Sequence, residues 1–143
     1  MLLPDVNIYV YAFRVDAVRH GAYRAWLTDH LAGDEPVGVS DVVLSSFVRI
    51  TTNHRVFPQP ASLQEALAFC DSVLRSPTAL PVRAGPRHWD LFTGLCVSGG
   101  ATGNFVPDAY LAALALEQRA TLVTDDRGMR RWPGVDILHP LDE

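Results

Sequence analysis

Residues 105–126, FVPDAYLAALALEQRATLVTDD, decide the fold of this chain. Alanine and leucine dominate the first part, and Pro107 suits the first turn of a helix, so we predict a helix over 105–119. The β-prone run 120–124 predicts a strand directly after it, and Asp125 and Asp126 then begin a turn. A helix followed at once by a strand that ends in acidic residues is typical of an α/β domain.

The N-terminus shows the same elements in the reverse order. The apolar run 2–6 overlaps an Asp-x-Asn motif, Asp5 to Asn7, and a helical pattern follows it, which predicts a strand leading into a helix. Further strands are predicted at 37–39 and 79–82, and a strand at the sheet edge is predicted at 135–138. Further helices are predicted at 20–32 and 62–75, and two more begin after a capping Ser40 and after Gly85. This alternation predicts a single α/β domain over residues 1–143, with a mainly parallel central sheet flanked by helices.

The helix predicted at 62–75 has the clearest local signal. Ser62 and Glu65 have the spacing of a capping box, and four apolar residues follow at helical steps: Leu63, Leu67, Cys70 and Leu74. We expect this stripe to supply core, together with Tyr23, Trp26 and Phe69. The alternative is that part of this surface forms a groove for a partner's amphipathic helix or for a second copy of the chain.

Composition and charge exclude several classes of protein. The chain has twelve basic residues, all arginine, and a net charge of −4 at pH 7. Without a lysine there is no P-loop. The negative net charge argues against simple electrostatic attraction to nucleic acid, although each arginine has a planar guanidinium group that can bind two phosphate oxygens.

The remaining composition suggests an ordinary cytosolic protein. The five histidines lack metal-ligand spacing, so a zinc site has little support, and Cys70 and Cys96 are expected to be reduced core thiols. No apolar run is long enough for a membrane span, and Asp5 interrupts the N-terminus before a signal-peptide core can form. We therefore expect a cytoplasmic protein without a membrane partner.

Three aspartates are expected to meet at one edge of the sheet. Asp5 and Asp126 follow the carboxyl ends of predicted strands, and Asp108 falls in the first turn of a helix, where the helix dipole favours an ionised carboxylate. Singly, each has a structural explanation as a helix cap, a dipole partner or a turn residue. Together they predict a site for Mg²⁺ or Mn²⁺, because clustered carboxylates repel and these ions take oxygen ligands. Such a site suits phosphodiester hydrolysis by metal-activated water.

On these residues the sequence resembles the PIN-domain ribonucleases of the bacterial VapC toxin type, over nearly the whole chain. The resemblance rests on LLPDVNIYVYAF (2–13), VSDVVLSSFVRITTN (39–53), VPDAYLAALALEQRATLVTDDRGM (106–129) and RRWPGVDILHPL (130–141). It implies an Mg²⁺-dependent endoribonuclease in which Asp5, Asp108 and Asp126 are the metal-binding and catalytic acids, supported through hydrogen bonds by Asn7 and Thr124. It also implies a structured RNA substrate, a type II toxin–antitoxin pair in which a cognate antitoxin inhibits the enzyme, and a homodimer.

The sequence departs from the family pattern at one acidic position. The family usually places a glutamate in the second of these segments, at the position of Ser46. Ser46 can supply a hydrogen bond but no carboxylate, and Asp41 at the start of the same helix either reaches the site or is only an N-terminal helix acid. The missing charge predicts weaker metal binding, or activity confined to one ion.

A second ambiguity concerns the neighbouring Asp125 and Asp126, either of which can face the metal. The spacing from Thr124 favours Asp126, because it fits the Thr-x-Asp pattern of the family.

Arginines near the predicted edge are candidates for RNA phosphate contacts. Arg127, Arg130 and Arg131 follow the acidic turn, and Arg49 and Arg55 lie in and just after the helix that carries Ser46. The alternative for the first three is a solvated surface turn.

Three functions compete on these observations. The first is an endoribonuclease toxin held inactive by an antitoxin. The second is a catalytically weak PIN-like module that binds RNA or antitoxin, for which Ser46 is the direct support. The third, a phosphatase of haloacid-dehalogenase type, is disfavoured because it needs Asp-x-Asp at the first strand and normally a later lysine, whereas this chain has Asp5-x-Asn7 and no lysine.

Overall fold

A five-stranded parallel sheet forms the centre of the protein in a computed structural model, which describes residues 1–142. The strand order is β3-β2-β1-β4-β5, and every neighbouring pair runs parallel. The strands are β1 (Leu2–Pro4), β2 (Val37–Ser40), β3 (Ala79–Val82), β4 (Thr121–Val123) and β5 (Ile137–Leu138). The α/β fold and the parallel sheet are confirmed, as is the edge position of the last strand.

Helices connect the strands and cover the sheet. They are α1 (Val6–Phe13), α2 (His20–Leu31), α3 (Asp41–Thr51), α4 (Leu63–Leu74), α5 (His88–Gly99) and α6 (Phe105–Gln118), with a 3-10 helix at Arg127–Arg131. Helix α1 packs against α2 and α3, and α5 packs against α6. Parallel neighbours need such crossover connections, so the alternation of elements along the chain dictates this layered arrangement.

The strand order brings the candidate acids to one edge. β1 and β4 are neighbours in the middle of the sheet, with Pro4 in register with Val123. The amide of Asp5 donates to the carbonyl of Val123 at 2.8 Å, which continues the ladder one residue beyond β1. The residues after both strands therefore lie side by side at the carboxyl edge, where open α/β sheets bind their ligands.

Helix α4 buries a different face from the one that we predicted. Leu63, Leu67 and Leu74 are 55%, 46% and 38% exposed, whereas Ala66 and Val73 are buried. Cys70 alone of the predicted stripe is buried. The prediction of a Leu63–Leu67–Leu74 core stripe was wrong because residues 66, 70 and 73 also repeat at helical spacing, and periodicity does not say which of two apolar faces meets the sheet.

Side-chain capping accounts for the starts of α1 and α4 but not for those of α2, α3, α5 and α6. Ser62 and Glu65 form the predicted capping box of α4. Asp5 is the N-cap of α1, so β1 ends at Pro4, before the acid. Ser40 occupies the N-cap position of α3 but its side chain makes no capping hydrogen bond.

The remaining composition-based expectations can be compared with the part of the chain that the structure describes. Tyr23 and Trp26 are buried, as predicted, and Phe69 is partly buried against the core. Cys70 and Cys96 are free thiols. Within residues 1–142, none of the helices combines the length and hydropathy that a membrane span requires.

Candidate active site

Asp5 is the most buried of the candidate acids, with 8% of its surface exposed. One carboxylate oxygen, Oδ1, accepts the amide of Val6 at 2.6 Å, and the other, Oδ2, accepts the hydroxyl of Thr124 at 2.8 Å. Burial raises the pKa of Asp5, and the charge of Asp126 raises it further, while the two hydrogen bonds lower it in part. These contacts fix the orientation of the carboxylate at the end of β1.

Thr124 is the centre of a small hydrogen-bond network. Its side chain is fully buried, and its hydroxyl accepts from the amide of Asp126 at 3.1 Å and from the side-chain amide of Asn7 at 3.2 Å. Asn7 also approaches Oδ2 of Asp5 at 3.4 Å and accepts the amide of Asp125 at 3.2 Å. The network joins the end of β1 to the end of β4, so one buried hydroxyl positions two of the acids.

Asp108 and Asp126 complete the group of acids. Asp108 lies in the first turn of α6, and Asp126 is the N-cap of the 3-10 helix, where its Oδ1 accepts the amide of Gly128 at 2.8 Å. Burial raises the pKa of Asp108 to about 6, the charges of Asp5 and Asp126 add to the shift, and Arg131 opposes it. The carboxylates of Asp5 and Asp126 are thus close enough to Asp108 to disfavour its ionised form.

A cleft of about 250 Å³ opens beside two of these acids. Asp5, Asp108, Ser46, Arg49 and Asn104 are among its lining residues. Ser46 therefore shares a cavity with Asp5 and Asp108, at the place where the family resemblance implies a glutamate. The sequence analysis did not single out Asn104, which is the N-cap residue of α6 and carries no recognisable motif.

Asp41 lies apart from this cleft. Its carboxylate is 3.3 Å from the guanidinium of Arg83, and both side chains are mostly exposed. The residues that line the cleft do not include Asp41. The structure thus brings Ser46, and not Asp41, to the acids.

The two neighbouring aspartates contact different groups. Asp125 Oδ1 accepts the hydroxyl of Tyr23 at 2.5 Å, and its backbone amide donates to Asn7. The charge of Asp126, in contrast, raises the pKa of both Asp5 and Asp108. This placement favours Asp126 as the third acid of the group.

The three arginines that follow the acidic turn have three different environments. Arg127 forms a bidentate pair with Asp142, at 2.5 and 2.8 Å. Arg130 Nε donates to His139 Nε2 at 3.1 Å. Arg131 instead stacks its guanidinium 3.9 Å from the ring centroid of Phe105 and lies near Asp108, whose pKa it lowers.

His139 is a supporting residue that the sequence analysis missed. It is buried, and its Nδ1 lies 2.6 Å from the carbonyl oxygen of Thr124. Because Nε2 accepts from Arg130, the proton is on Nδ1, which donates to that carbonyl. The ring thereby anchors the residue that positions Asp5. A single histidine in the closing segment gives no signal of this role in sequence.

The donor set has the chemistry that a hard divalent cation requires. Within residues 1–142, no protein group donates a hydrogen bond to the Asp108 carboxylate, and the charges of neighbouring acids raise the pKa of Asp5 and of Asp108. In the same described part of the chain, no group of three or more histidine, cysteine, aspartate or glutamate side chains is arranged so that it could bind a metal ion. The fit thus rests on donor chemistry and on the neighbouring charges that disfavour ionised Asp5 and Asp108, and not on a preformed coordination geometry.

Comparison with known sequences gives matches over almost the entire chain. Residues 2–135 match the family model described as PIN domain. Ribonuclease VapC43 of Mycobacterium tuberculosis is 45% identical over 142 residues, which cover 99% of this chain and 97% of the relative. Ribonuclease VapC25 of the same species is 39% identical over 140 residues, which cover 98% and 99%.

Solved structures share the fold at low sequence identity. One is the crystal structure of VapBC2 from Rickettsia felis bound to a DNA fragment from their promoter, with a TM-score of 0.69, 20% identity and coverage of 96% of both chains. Another is VapC20 of M. tuberculosis, described as a toxin that cleaves the sarcin-ricin loop, with a TM-score of 0.64, 16% identity and coverage of 91% of this chain and 93% of that one. At these identities the likeness concerns the fold alone.

Proposed function

The chain belongs to the PIN-domain family, among its VapC-type ribonucleases, and from this membership we propose that it is a metal-dependent endoribonuclease toxin whose reaction centre is Asp5, Asp108 and Asp126. The observation that carries this proposal is the grouping of these acids at the carboxyl edge of the sheet, where the charge of Asp126 raises the pKa of both Asp5 and Asp108. A protein gains no stability from clustered like charges, so a site that keeps them together is best explained by a ligand of opposite charge.

The three acids would hold Mg²⁺, or Mn²⁺, through hard oxygen donors. When bound, such an ion polarises phosphoryl oxygens and lowers the pKa of an attacking water, which is what phosphodiester hydrolysis requires. Thr124 and Asn7 hold the Asp5 carboxylate in place and so act as positioning residues. Ser46 lines the same cleft and offers a hydroxyl but no further negative charge.

Arg131 is the residue that we assign to the RNA backbone. It is held on the face of Phe105 next to Asp108, whereas Arg127 is occupied by Asp142. A stacked guanidinium keeps its planar edge available for two phosphate oxygens. Arg131 therefore supplies local attraction for RNA in a chain whose net charge is −4.

We take a structured RNA loop as the substrate class, because one structural relative is a toxin that cleaves the sarcin-ricin loop. A toxin of this type acts with a cognate antitoxin that inhibits it, and both RNA and antitoxin would be met in the cytoplasm.

An apolar groove of about 520 Å³ between α1, α2 and α4 suits an amphipathic helix of such a partner. Phe13, Leu27, Leu31 and Phe69 are among its lining residues. A second copy of the chain is the competing occupant, and light scattering of the pure protein separates the two.

A catalytically weak binding module is the second candidate function. The observation that favours it is Ser46, which lies in the cleft beside Asp5 and Asp108 and leaves the acidic group without a fourth carboxylate. Such a module would bind RNA or antitoxin without cutting.

Mapping of new RNA 5′ ends tests the proposal against this rival. Purified protein is incubated with total bacterial RNA in Mg²⁺ or in EDTA, beside Asp5→Asn, Asp126→Asn and the matched control Asp90→Asn. Asp90 is an exposed acid in the first turn of α5, away from the cleft. We expect discrete cuts that need Mg²⁺, disappear in the first two variants and persist in the control. Folded protein that makes no cuts would support the binding module instead.

A further inference from the structure

A second pocket adjoins the acids on the side of Asp125. It has a volume of about 390 Å³ and is lined by three aromatic residues, Tyr11, Tyr23 and Phe57, together with Arg19 and Asp125. The cleft of Asp108 and Ser46 has a different set of lining residues, with no member in common. The two cavities are therefore separate, and the second is bounded by Asp125, the residue before Asp126.

The pocket is close to the reaction centre because α1 joins them. Asn7, which contacts Asp5 and Thr124, and Tyr11 are four residues apart and lie on one face of the helix. One helical turn is about 5.4 Å, which is the scale of the distance between a phosphate and the base of its own nucleotide. The carboxylates of Asp125, Asp5 and Asp126 all raise the pKa of Tyr11, after the larger effect of burial, which agrees with this proximity.

The lining groups of the pocket are held in fixed positions. The rings of Tyr11 and Tyr23 are 5.0 Å apart between centroids and tilted by 51°. Arg14 lies 4.1 Å above the ring of Phe57 and is itself bonded to Asp16. Arg19 has a φ of 61°, a left-handed conformation that is uncommon for residues other than glycine and that is found more often at functional sites.

We propose that this pocket binds the nucleobase next to the scissile phosphate, and that Asp125 selects a base with an exocyclic amino group. The inference rests on the proposed ribonuclease function and specifies the substrate at the same site. Tyr11 and Phe57 are partly exposed and can stack on any base, because every base has a π-face, whereas the buried Tyr23 holds Asp125. Selection among bases therefore depends on the polar groups at the pocket wall, of which the carboxylate of Asp125 is the acidic one.

The hydrogen bond from Tyr23 defines what Asp125 can recognise. The tyrosine hydroxyl donates to Oδ1, which leaves Oδ2 as an acceptor and the carboxylate as a whole without a donor of its own. An ionised carboxylate accepts a hydrogen bond from an amino group, such as N4 of cytosine, and repels a carbonyl, such as O4 of uracil. One charged hydrogen bond of this kind favours the amino base by roughly tenfold.

Nucleotide binding tests the inference without any need for cleavage. The wild-type protein in EDTA is titrated with cytidine 5′-monophosphate and with uridine 5′-monophosphate, and amide chemical shifts of the pocket residues are followed by NMR. We expect shifts at Tyr11, Tyr23 and Asp125, with about tenfold tighter binding of the cytidine nucleotide. Equal affinities, or shifts confined to other parts of the protein, would overturn the proposal.

Substitution of Asp125 provides a second and more specific test of the base preference. In Asp125→Asn the side-chain oxygen can keep the Tyr23 hydroxyl, so the amide nitrogen becomes a donor toward the pocket and the preference should shift to the uridine nucleotide or disappear. Tyr23→Phe should weaken the cytidine preference without reversing it, and Asp90→Asn should leave it unchanged. An Asp125→Asn protein with the wild-type preference would refute the assignment.

Cut sites on a randomised RNA library separate this inference from the proposed function. Cleavage by the wild-type protein with no base preference beside the cut would reject the pocket and leave the ribonuclease intact. Selective binding of the cytidine nucleotide by a protein that cuts no RNA would support the pocket and reject the ribonuclease.

Discussion

Replacement of Asp108 by asparagine should stabilise the metal-free protein and abolish its activity. Asp108 is in the first turn of α6, and its pKa is about 6 because burial and the charges of Asp5 and Asp126 disfavour ionisation. At neutral pH the folded protein must hold this group ionised against those costs. The unfolded chain, in which the carboxyl has its ordinary pKa of 3.8, does not bear them.

The size of the effect follows from the shift. Two pKa units correspond to at most about 3 kcal/mol, and solvent screening of a partly exposed carboxylate reduces the expected gain to about 1–2 kcal/mol. The native state binds the proton more tightly than the unfolded state, so wild-type stability falls as pH rises from about 4 to 6 and stays reduced above pH 6. The difference between Asp108→Asn and wild type should therefore be larger at pH 7.5 than at pH 4.5.

Urea unfolding in EDTA and in Mg²⁺ measures this difference. In EDTA at pH 7.5, Asp108→Asn should be more stable than wild type, whereas Mg²⁺ at ten times its Kd should add about 1.4 kcal/mol to wild type and little to the variant. The matched control is Asp90→Asn, which also removes an acid from the first turn of a helix and so corrects for the lost dipole interaction. If Asp108→Asn, after that correction, were no more stable than wild type in EDTA, the inferred repulsion among the acids would be refuted.

Substitutions at Thr124, Ser46 and Arg131 test other parts of the site. Thr124→Val removes the buried hydroxyl that donates to Asp5, and we expect a loss of about 1–3 kcal/mol in urea unfolding together with lost RNA cleavage. Thr124→Ser keeps the hydroxyl and should retain activity; an active valine variant would argue against the positioning role. Ser46→Glu adds a carboxylate to the cleft and should tighten Mg²⁺ binding in calorimetry by about tenfold, whereas unchanged affinity would show that position 46 does not face the ion. Arg131→Gln should raise KM more than it lowers kcat and reduce the salt dependence of RNA binding by about one phosphate contact. Arg127→Gln should change KM less, and equal effects would contradict the assignment of the phosphate contact to Arg131.

Local chemistry was enough to predict most of the fold. The capping box at Ser62 and Glu65, Pro107 at the start of α6 and the strand before Asp126 are signals that act within a few residues. The parallel sheet then follows from the alternation of helices and strands. Helix α4 shows where such reasoning fails, because Leu67 is exposed and Ala66 is buried, and only the packing of the whole molecule decides between two apolar faces of one helix.

The candidate site could be predicted in part, because the topology of a parallel sheet determines which residues share an edge. Asp5 and Asp126 follow neighbouring strands, and that inference needs no side-chain detail. The Thr-x-Asp spacing also favoured Asp126 over Asp125, but the contact that occupies Asp125 comes from Tyr23, about a hundred positions away in the chain, and has no signal in the local sequence. The separate environments of Arg127 and Arg131 depend in the same way on distant partners.

The most direct test of a shared cation at Asp5, Asp108 and Asp126 is a Mn²⁺ titration of the purified protein at pH 7.5, followed by the electron paramagnetic resonance signal of the free ion. We predict saturable binding to wild type and to Asp90→Asn, and binding at least about tenfold weaker in each of Asp5→Asn, Asp108→Asn and Asp126→Asn. Equal binding in all five proteins, or no binding by folded wild type, would contradict a cation site built from these three acids.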